Sequence, residues 1–420
     1  MKRTKSFYGL MLMGVLGASP VCADAVVDWN EITVQAVTVG RPGPVGAVDI
    51  ALVQVAVHDA VQAIEQRFEP YHAEMRAKGR LSAAVAAAAH DVLVGMYPAQ
   101  ATSLDTTYFN YLADKGLNDD PGIVAGQQVA ARILPLRRVN PNPLPPPFVG
   151  GSGVGAWRPT PSFLGNPPAP PPFSPMAASW MAEFDPFTLT SPTRFRALPP
   201  PALTSERYAR DYYEVKEFGA LVGAKRTAGQ TDLAYFYSDN IPALWNRTLR
   251  SIASRQLRRS GDTARLFALA SLATADAVIS SWDSKKFYNV WRPITAIQEG
   301  DFDGNPATAG DPAWQSLINN PNYPDYTSGA NNVTAAMTRT LELFFGTDKL
   351  AFEVTSLAPQ AVQKVRRYYR LSDAARDVVD ARVYLGIHFR FADVAARTQG
   401  RRVADWTFNH FLLPVGGREQ

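Results

Sequence analysis

Apolar residues recur at three- and four-residue spacing through most of the chain, the period of an amphipathic helix and not the two-residue alternation of a half-buried strand. The pattern predicts helices over residues 45–68, 81–96, 101–115, 121–135, 204–222, 228–256, 261–284, 328–345, 360–370, 373–393 and 397–412. No alternating run competes with these. The alanine-rich stretches Ser82 to His90 and Ala268 to Ala277 predict closely packed helices, because small side chains leave little between two backbones. Between residues 141 and 201 the periodicity stops, and eighteen of the 33 prolines fall there. Proline fixes φ and has no N–H to give a helix or a ladder, so this stretch reads as an ordered, irregular crossover. The pattern as a whole predicts an all-α fold of two helical bundles, with residues 24–140 before the crossover (141–203) and residues 204–420 after it.

The first 23 residues break the pattern differently. Lys2, Arg3 and Lys5 precede the apolar run Phe7 to Leu16, and small residues lead to Val21-Cys22-Ala23. This is the layout of a Sec-type signal peptide cleaved after Ala23, and it predicts a periplasmic or secreted protein. The apolar run is too short to span a bilayer, so no membrane association is expected after cleavage. Cleavage removes the single cysteine, which excludes disulfides, thiolate zinc sites and thiol catalysis from the mature chain. It also removes three positive charges and no negative one, taking the formal charge from +4 to about +1. No Lys/Arg run interleaved with aromatics remains, so nucleic-acid binding has no support. With 46% hydrophobic residues the chain can bury a large core, and composition leaves a homo-oligomer open.

Three segments carry candidate chemistry. In Trp282-Asp-Ser-Lys285 followed by Lys286-Phe-Tyr-Asn-Val-Trp291-Arg292-Pro293, Lys285 and Arg292 are seven residues apart. On one helix such a spacing places two side chains about 20° apart in azimuth and about 10 Å along the axis, close enough for both cations to reach one anion. Pro293 puts the pair at the helix end, and Lys286 falls on another face. In Tyr326-Thr327-Ser328-Gly329-Ala330, Ser328 reads as the N-cap of the run ending before Gly346. Its hydroxyl and the free N–H groups around Gly329 form an N-terminal anion site. In Arg382-Val-Tyr-Leu-Gly-Ile-His388-Phe-Arg390-Phe-Ala-Asp393, an arginine and a histidine share one predicted helical stretch. A buried arginine needs an anion, and a histidine can bond a ligand through one ring nitrogen.

Together the three blocks resemble the vanadium-dependent haloperoxidases and their relatives, the type 2 phosphatidic acid phosphatases and bacterial acid phosphatases. That family pattern is Lys, six residues, Arg-Pro; then Pro-Ser-Gly-His; then Arg, five residues, His, with an acidic residue soon after. Lys285, Arg292-Pro293, Ser328-Gly329, Arg382 and His388 follow it in order and spacing. Val55-Ala-Val-His58-Asp59-Ala-Val, Gly155-Ala-Trp157-Arg-Pro-Thr-Pro and Phe187-Thr-Leu extend the resemblance upstream, toward bacterial secreted haloperoxidase-like proteins. Two departures stand out. Ala330 occupies the place of the histidine in Ser-Gly-His, with Thr327 in place of the preceding proline, and Asp393 follows His388 by five positions where the pattern has four.

The resemblance implies two four-helix bundles with the site in the second. It implies vanadate as cofactor, bonded through its vanadium to His388 Nε2, with Lys285, Arg292 and Arg382 balancing the charge on its oxygens and Ser328 and Gly329 supplying neutral donors. Lys285 and His388 are then the catalytic residues of a peroxidase that oxidises halide with hydrogen peroxide and delivers it to an organic acceptor. Trp282 and Tyr323 fall where related enzymes carry aromatics beside halide and peroxide. Asp283 and Asp325 stand near enough in sequence to oppose halide entry by like charge. Ala330 cannot transfer a proton, and losing such help costs about 10² to 10⁴ in rate. His58, His72, His90 and His410 are the remaining histidines that could substitute. Two alternatives stay open: a secreted acid phosphatase acting on phosphomonoesters, with phosphate in place of vanadate and His388 as nucleophile, and a non-catalytic phosphate- or vanadate-binding protein.

Other matches are weaker. Asp301-Phe-Asp303-Gly304-Asn305 has the start of a calcium loop without its later acidic ligand, and reads as a turn. Asn246-Arg-Thr248 and Asn332-Val-Thr334 are glycosylation sequons.

Overall fold

The computed structural model describes residues 24–41, 43, 45–137, 144–160 and 175–416. The leader and parts of the proline-rich stretch lie outside the described residues. Among the described residues the fold is all-α apart from one two-stranded hairpin.

The first bundle contains α1 (Ala25–Gly40), α2 (Val45–Glu65), α3 (Leu81–Met96), α4 (Ala101–Asp114) and α5 (Gly122–Ile133). The Asp24 side chain accepts from the Val26 N–H at 3.0 Å and caps α1, a helix not anticipated from the pattern. Ala83 to Ala89 of α3 are all buried, as the alanine run predicted, and α3 packs against both α2 and α5. The second half contributes α6 (Glu206–Phe218), α7 (Ala228–Phe236), α8 (Ile241–Gln256), α9 (Ser260–Tyr288), α10 (Pro293–Gln298), α11 (Gly329–Phe345), α12 (Leu371–Tyr384) and α13 (Arg390–His410). α9 is the central element, packed on α11 and α13 on one side and on α2 of the first bundle on the other. α2 and α9 are both long and apolar enough to cross a membrane, yet 94% of each apolar window is buried inside the protein. One continuous core therefore links the bundles; the division at residues 140 and 204 remains a proposal drawn from the sequence.

Three predicted helices need correction. The span 228–256 breaks between Phe236 and Ile241, where Asn240 caps α8 by accepting from the Ala243 N–H at 3.3 Å and Pro242 occupies its first turn. Residues 360–370 hold no helix. Val365–Tyr368 is strand β2, antiparallel to β1 (Phe352–Thr355), with Phe352 opposite Tyr368; a β-branched residue and an aromatic pair suit that pleated surface. The span 373–393 stops at Tyr384, and Leu385 to Phe389 form a non-helical link before α13. Gly386 makes that break possible, with φ of 76° and no room for a Cβ, which would lie 2.5 Å from the Gly219 carbonyl oxygen.

The described part of the crossover lies along α9. The buried Asp276 carboxylate accepts from the backbone N–H groups of Phe187 and Thr188, each at 2.7 Å, and from the Thr188 hydroxyl at 2.6 Å. Asp283 is paired with Arg196, and Trp282 Nε1 donates to the Ala177 carbonyl at 3.0 Å.

Candidate functional site

The end of α9 builds the first wall. Lys285 lies in its last turn, and Asn289 ends the helix in the left-handed region, giving its N–H to the Lys285 carbonyl. The chain then runs extended through Val290 and Trp291 to Arg292, which is the N-cap of α10 with Pro293 in the first turn. Lys285 and Arg292 therefore do not share one helix face as the spacing suggested. They meet because the chain turns back, and both are completely buried.

These two cations grip the segment that leads into α11. Lys285 Nζ donates to the carbonyls of Pro324 at 2.6 Å and Asp325 at 3.1 Å, and Arg292 Nε to that of Tyr323 at 2.8 Å. The Tyr323 ring lies 4.8 Å from Lys285 Nζ and 4.8 Å from the Arg292 guanidinium carbon. Ser328 is the N-cap of α11, as predicted, but its side chain makes no bond to the helix N–H groups. The hydroxyl stands beside the Asp393 carboxyl, and Asn331 Nδ2 approaches it at 3.4 Å.

The link between α12 and α13 supplies the last wall. Arg382, in the last turn of α12, donates through Nη1 to the Tyr237 carbonyl at 3.1 Å. His388 lies in the non-helical link, its Nδ1 2.7 Å from Asp325 Oδ1 and its Nε2 3.3 Å from Arg292 Nη1. Arg292 Nη1 also donates to the Ile387 carbonyl at 2.6 Å and stands 3.6 Å from Asp325 Oδ1.

The electrostatics follow from burial. Loss of water, then the nearby Arg292, pushes the Lys285 ammonium well below its ordinary value. Burial followed by Arg292, Lys285 and Arg382 does the same to His388, so its imidazole is neutral. Burial raises Asp325 to about 7 against the pull of Arg292 and Lys285, and lifts Asp393 well above the usual carboxylate range. Three cationic residues, two carboxyls that resist ionisation and a neutral imidazole thus meet out of water. Arg292 Nη2 and Arg382 Nε are buried without partners, as are Asp325 Oδ2 and Asp393 Oδ2. Free guanidinium donors fit an oxyanion, and the carboxyls fit beside one in their protonated form. A cavity of about 370 Å³ opens here, with Tyr323, Gly329, Ala330, Val333, Arg382 and Ile387 in its wall.

All the predicted cage residues thus come together. Tyr323 borders the cavity, whereas Trp282 lies behind, 5.0 Å from the Tyr323 ring and under Gly329, where a Cβ would meet it at 3.2 Å. Asp283 faces the crossover and Lys286 pairs with Glu183 at the surface. His58 bonds the Glu69 carbonyl, His90 sits between Asp91 and Asp105, the His72 N–H bonds Asp59, and His410 stacks on Trp406. None of them lines the cavity beside Ala330. Asp303 is satisfied by Thr308 and Asn305 within its own turn. The sequon residues Asn246 and Asn332 are buried, which removes both from solvent in the folded protein. Sequence reading missed two site residues: Asp325 as the partner of His388, and Asn331, which donates to Asp393 at 2.7 Å. The only signal for either was its place next to the Ser328 motif.

Known proteins resemble this chain in sequence and in fold. Residues 265–417, which contain every cage residue, match the family model described as VCPO second helical-bundle domain. The chain is 28% identical to vanadium chloroperoxidase of Curvularia inaequalis over a match covering 42% of this chain and 38% of that protein. In structure it is similar to the first bacterial vanadium-dependent iodoperoxidase, with a TM-score of 0.76, 22% identity and coverage of 93% of this chain and 97% of the other. It is also similar to a bacterial vanadium-dependent chloroperoxidase in its holo form, at TM-score 0.72, 17% identity and coverage of 89% and 93%. Residues 265–417 therefore match the VCPO second helical-bundle domain, set within a chain whose all-α fold is similar to that of bacterial vanadium-dependent haloperoxidases.

Proposed function

We propose that this protein is a vanadate-dependent haloperoxidase that oxidises halide with hydrogen peroxide, and that it acts in the periplasm or outside the cell after removal of residues 1–23. The observation that carries the reading is the convergence of Lys285, Arg292 and Arg382 around His388, with two guanidinium nitrogens buried and unpartnered. Such a set is costly unless an anion completes it. Arg292, Arg382 and Lys285 would balance the charge of vanadate, Ser328 and the Gly329 N–H would donate to its oxygens, and His388 Nε2 would bond the metal. When bound, vanadate supplies the electrophilic centre at which peroxide is activated toward halide.

This chain's own residues set the terms around that centre. The excess of buried positive charge draws an anion inward, and the near-neutral Asp325 opposes halide less than an ionised carboxylate would. The Tyr323 ring and the apolar wall beside it exclude water on the cavity side. Ala330 offers no proton, so the chain should turn over slowly for want of an acid-base group at that position.

The test is a vanadate titration of the mature protein followed by bromide- or iodide-dependent halogenation of a phenolic indicator. We expect turnover that requires vanadate, is abolished in Lys285→Ala and His388→Ala, and rises by about 10²-fold or more in Ala330→His. No turnover under saturating vanadate and peroxide at any pH would overturn the reading. Vanadate-inhibited hydrolysis of p-nitrophenyl phosphate in its place would assign the cage to phosphoryl transfer, and binding with neither activity would leave an oxyanion-binding protein.

A further inference from the structure

The sequence pattern leads to an acidic residue after His388 as its supporting partner, and Asp393 is the candidate. The structure places it elsewhere. Asp393 lies in the first turn of α13, with its N–H on the Phe389 carbonyl, and that turn swings its carboxyl to Ser328 and Asn331. His388 instead meets Asp325, which arrives from the loop before Ser328, sixty-three residues earlier in the chain.

We propose that Asp325 is the residue that positions His388, accepting from Nδ1–H and so fixing the tautomer that presents the Nε2 lone pair to the oxyanion centre. Three features carry this. The Nδ1 to Oδ1 separation is 2.7 Å, while Arg292 Nη1, which can only donate, stands almost equally far from Nε2 (3.3 Å) and Nδ1 (3.4 Å), so the carboxyl oxygen is what distinguishes the two nitrogens. A proton on Nδ1 points at a carboxyl oxygen, whereas Nε2 meets no acceptor among the described residues. Both residues are buried, so water does not offer the imidazole an alternative partner. Asp325 is itself held on both sides: its N–H bonds the Val290 carbonyl at 2.9 Å, and its carbonyl receives Lys285 Nζ at 3.1 Å. The same backbone contacts bind the Lys285–Arg292 segment to the Ser328 loop, so a single residue ties all three blocks of the motif together. Hydrogen bonds of this kind to a metal-bound imidazole set its orientation and basicity, and losing one typically costs about 10- to 100-fold in metal affinity.

The proposal rests on the vanadate reading for its purpose but not for its first measurement. Nitrogen-15 spectra of the imidazoles in the ligand-free protein, with His388 assigned by the signal lost in His388→Gln, report the tautomer directly. We expect His388 to be protonated at Nδ1 in the wild type and in Asp325→Asn, whose side-chain oxygen still accepts. Asp325→Ala should lose that preference and bind orthovanadate at least about 10-fold more weakly by calorimetry, with Asp325→Asn in between. Asp393→Asn should keep the wild-type tautomer. An Nε2–H tautomer in the wild type overturns the proposal, as does a His388 signal that responds to Asp393→Asn and not to Asp325→Ala. If Asp325→Ala fails to fold, the wild-type tautomer and the Asp325→Asn affinity decide the matter. Wild-type protein that shows the Nδ1–H tautomer but binds no vanadate would leave Asp325 in its role and remove the haloperoxidase reading.

Discussion

Asp393 is the residue at which burial and chemistry conflict most. Its carboxyl is fully enclosed, one oxygen has no partner, and burial holds it protonated well above the ordinary value of 3.8. The sign of the linkage follows. The folded state keeps a proton that the unfolded chain has lost, so the stability this group contributes is complete below the unfolded value and falls as pH rises from about 4 toward the elevated folded value. Asp393→Asn keeps the oxygen that accepts from Asn331 and cannot ionise. Its melting temperature should therefore overtake that of the wild type as pH rises from 4 to 8; parallel curves across that range would show that Asp393 is ionised after all. At this scale the sequence was informative about identity and poor about partnership. Lys285, Arg292, Ser328, Gly329, Arg382 and His388 were legible because their order and local spacing are those of a known motif. Asp325 was not, because its partner is remote in sequence and only the turn of α13 shows that Asp393 points away.

Elements decide how those residues meet. The periodicity located most helices because a buried stripe is a property of local sequence, but it could not locate the breaks that build the site. The link at Gly386 lies in a largely apolar stretch, and across the end of α9 at Asn289 a seven-residue spacing looks the same as along a helix. The hairpin Phe352–Thr355 with Val365–Tyr368 was hidden for a related reason, since four-residue strands give too few positions to show an alternation. What holds α9 in register with the crossover is Asp276. Its carboxylate receives two backbone N–H groups at 2.7 Å and the Thr188 hydroxyl at 2.6 Å, all away from solvent. Charged acceptors of this sort contribute about 1.5 to 3 kcal/mol per bond, and bonds sharing one carboxylate are not additive. We expect Asp276→Ala to lower unfolding free energy by about 3 kcal/mol in urea titration, with the crossover becoming the first site of limited proteolysis. A loss below about 0.5 kcal/mol would show that the crossover docks by its apolar contacts alone.

Across the whole molecule, the proposed oxyanion site would couple ligand binding to stability through its buried cations. Removal of residues 1–23, as proposed, would leave a formal charge of about +1 and little long-range attraction, so oxyanion capture would depend on the concentrated charge of Lys285, Arg292 and Arg382 at the junction of α9, α11 and α12. An anion that binds only the folded state stabilises it by about 2.7 kcal/mol at one hundred times its dissociation constant. Orthovanadate and phosphate should both raise the melting temperature, because both carry oxygens suited to the unpartnered Arg292 Nη2 and Arg382 Nε. Buried pairs are screened little by salt, so the rise should survive added sodium chloride near 0.5 M, unlike a surface effect. Arg382→Met separates the two contributions. It removes a desolvated charge while keeping most of the apolar stem, so the ligand-free variant should match or exceed wild-type stability. The same variant should lose most of the oxyanion-induced rise. If Arg382→Met instead destabilises the ligand-free protein while retaining the full rise, then Arg382 serves the fold through its bond to the Tyr237 carbonyl and the oxyanion is held by Lys285 and Arg292 alone.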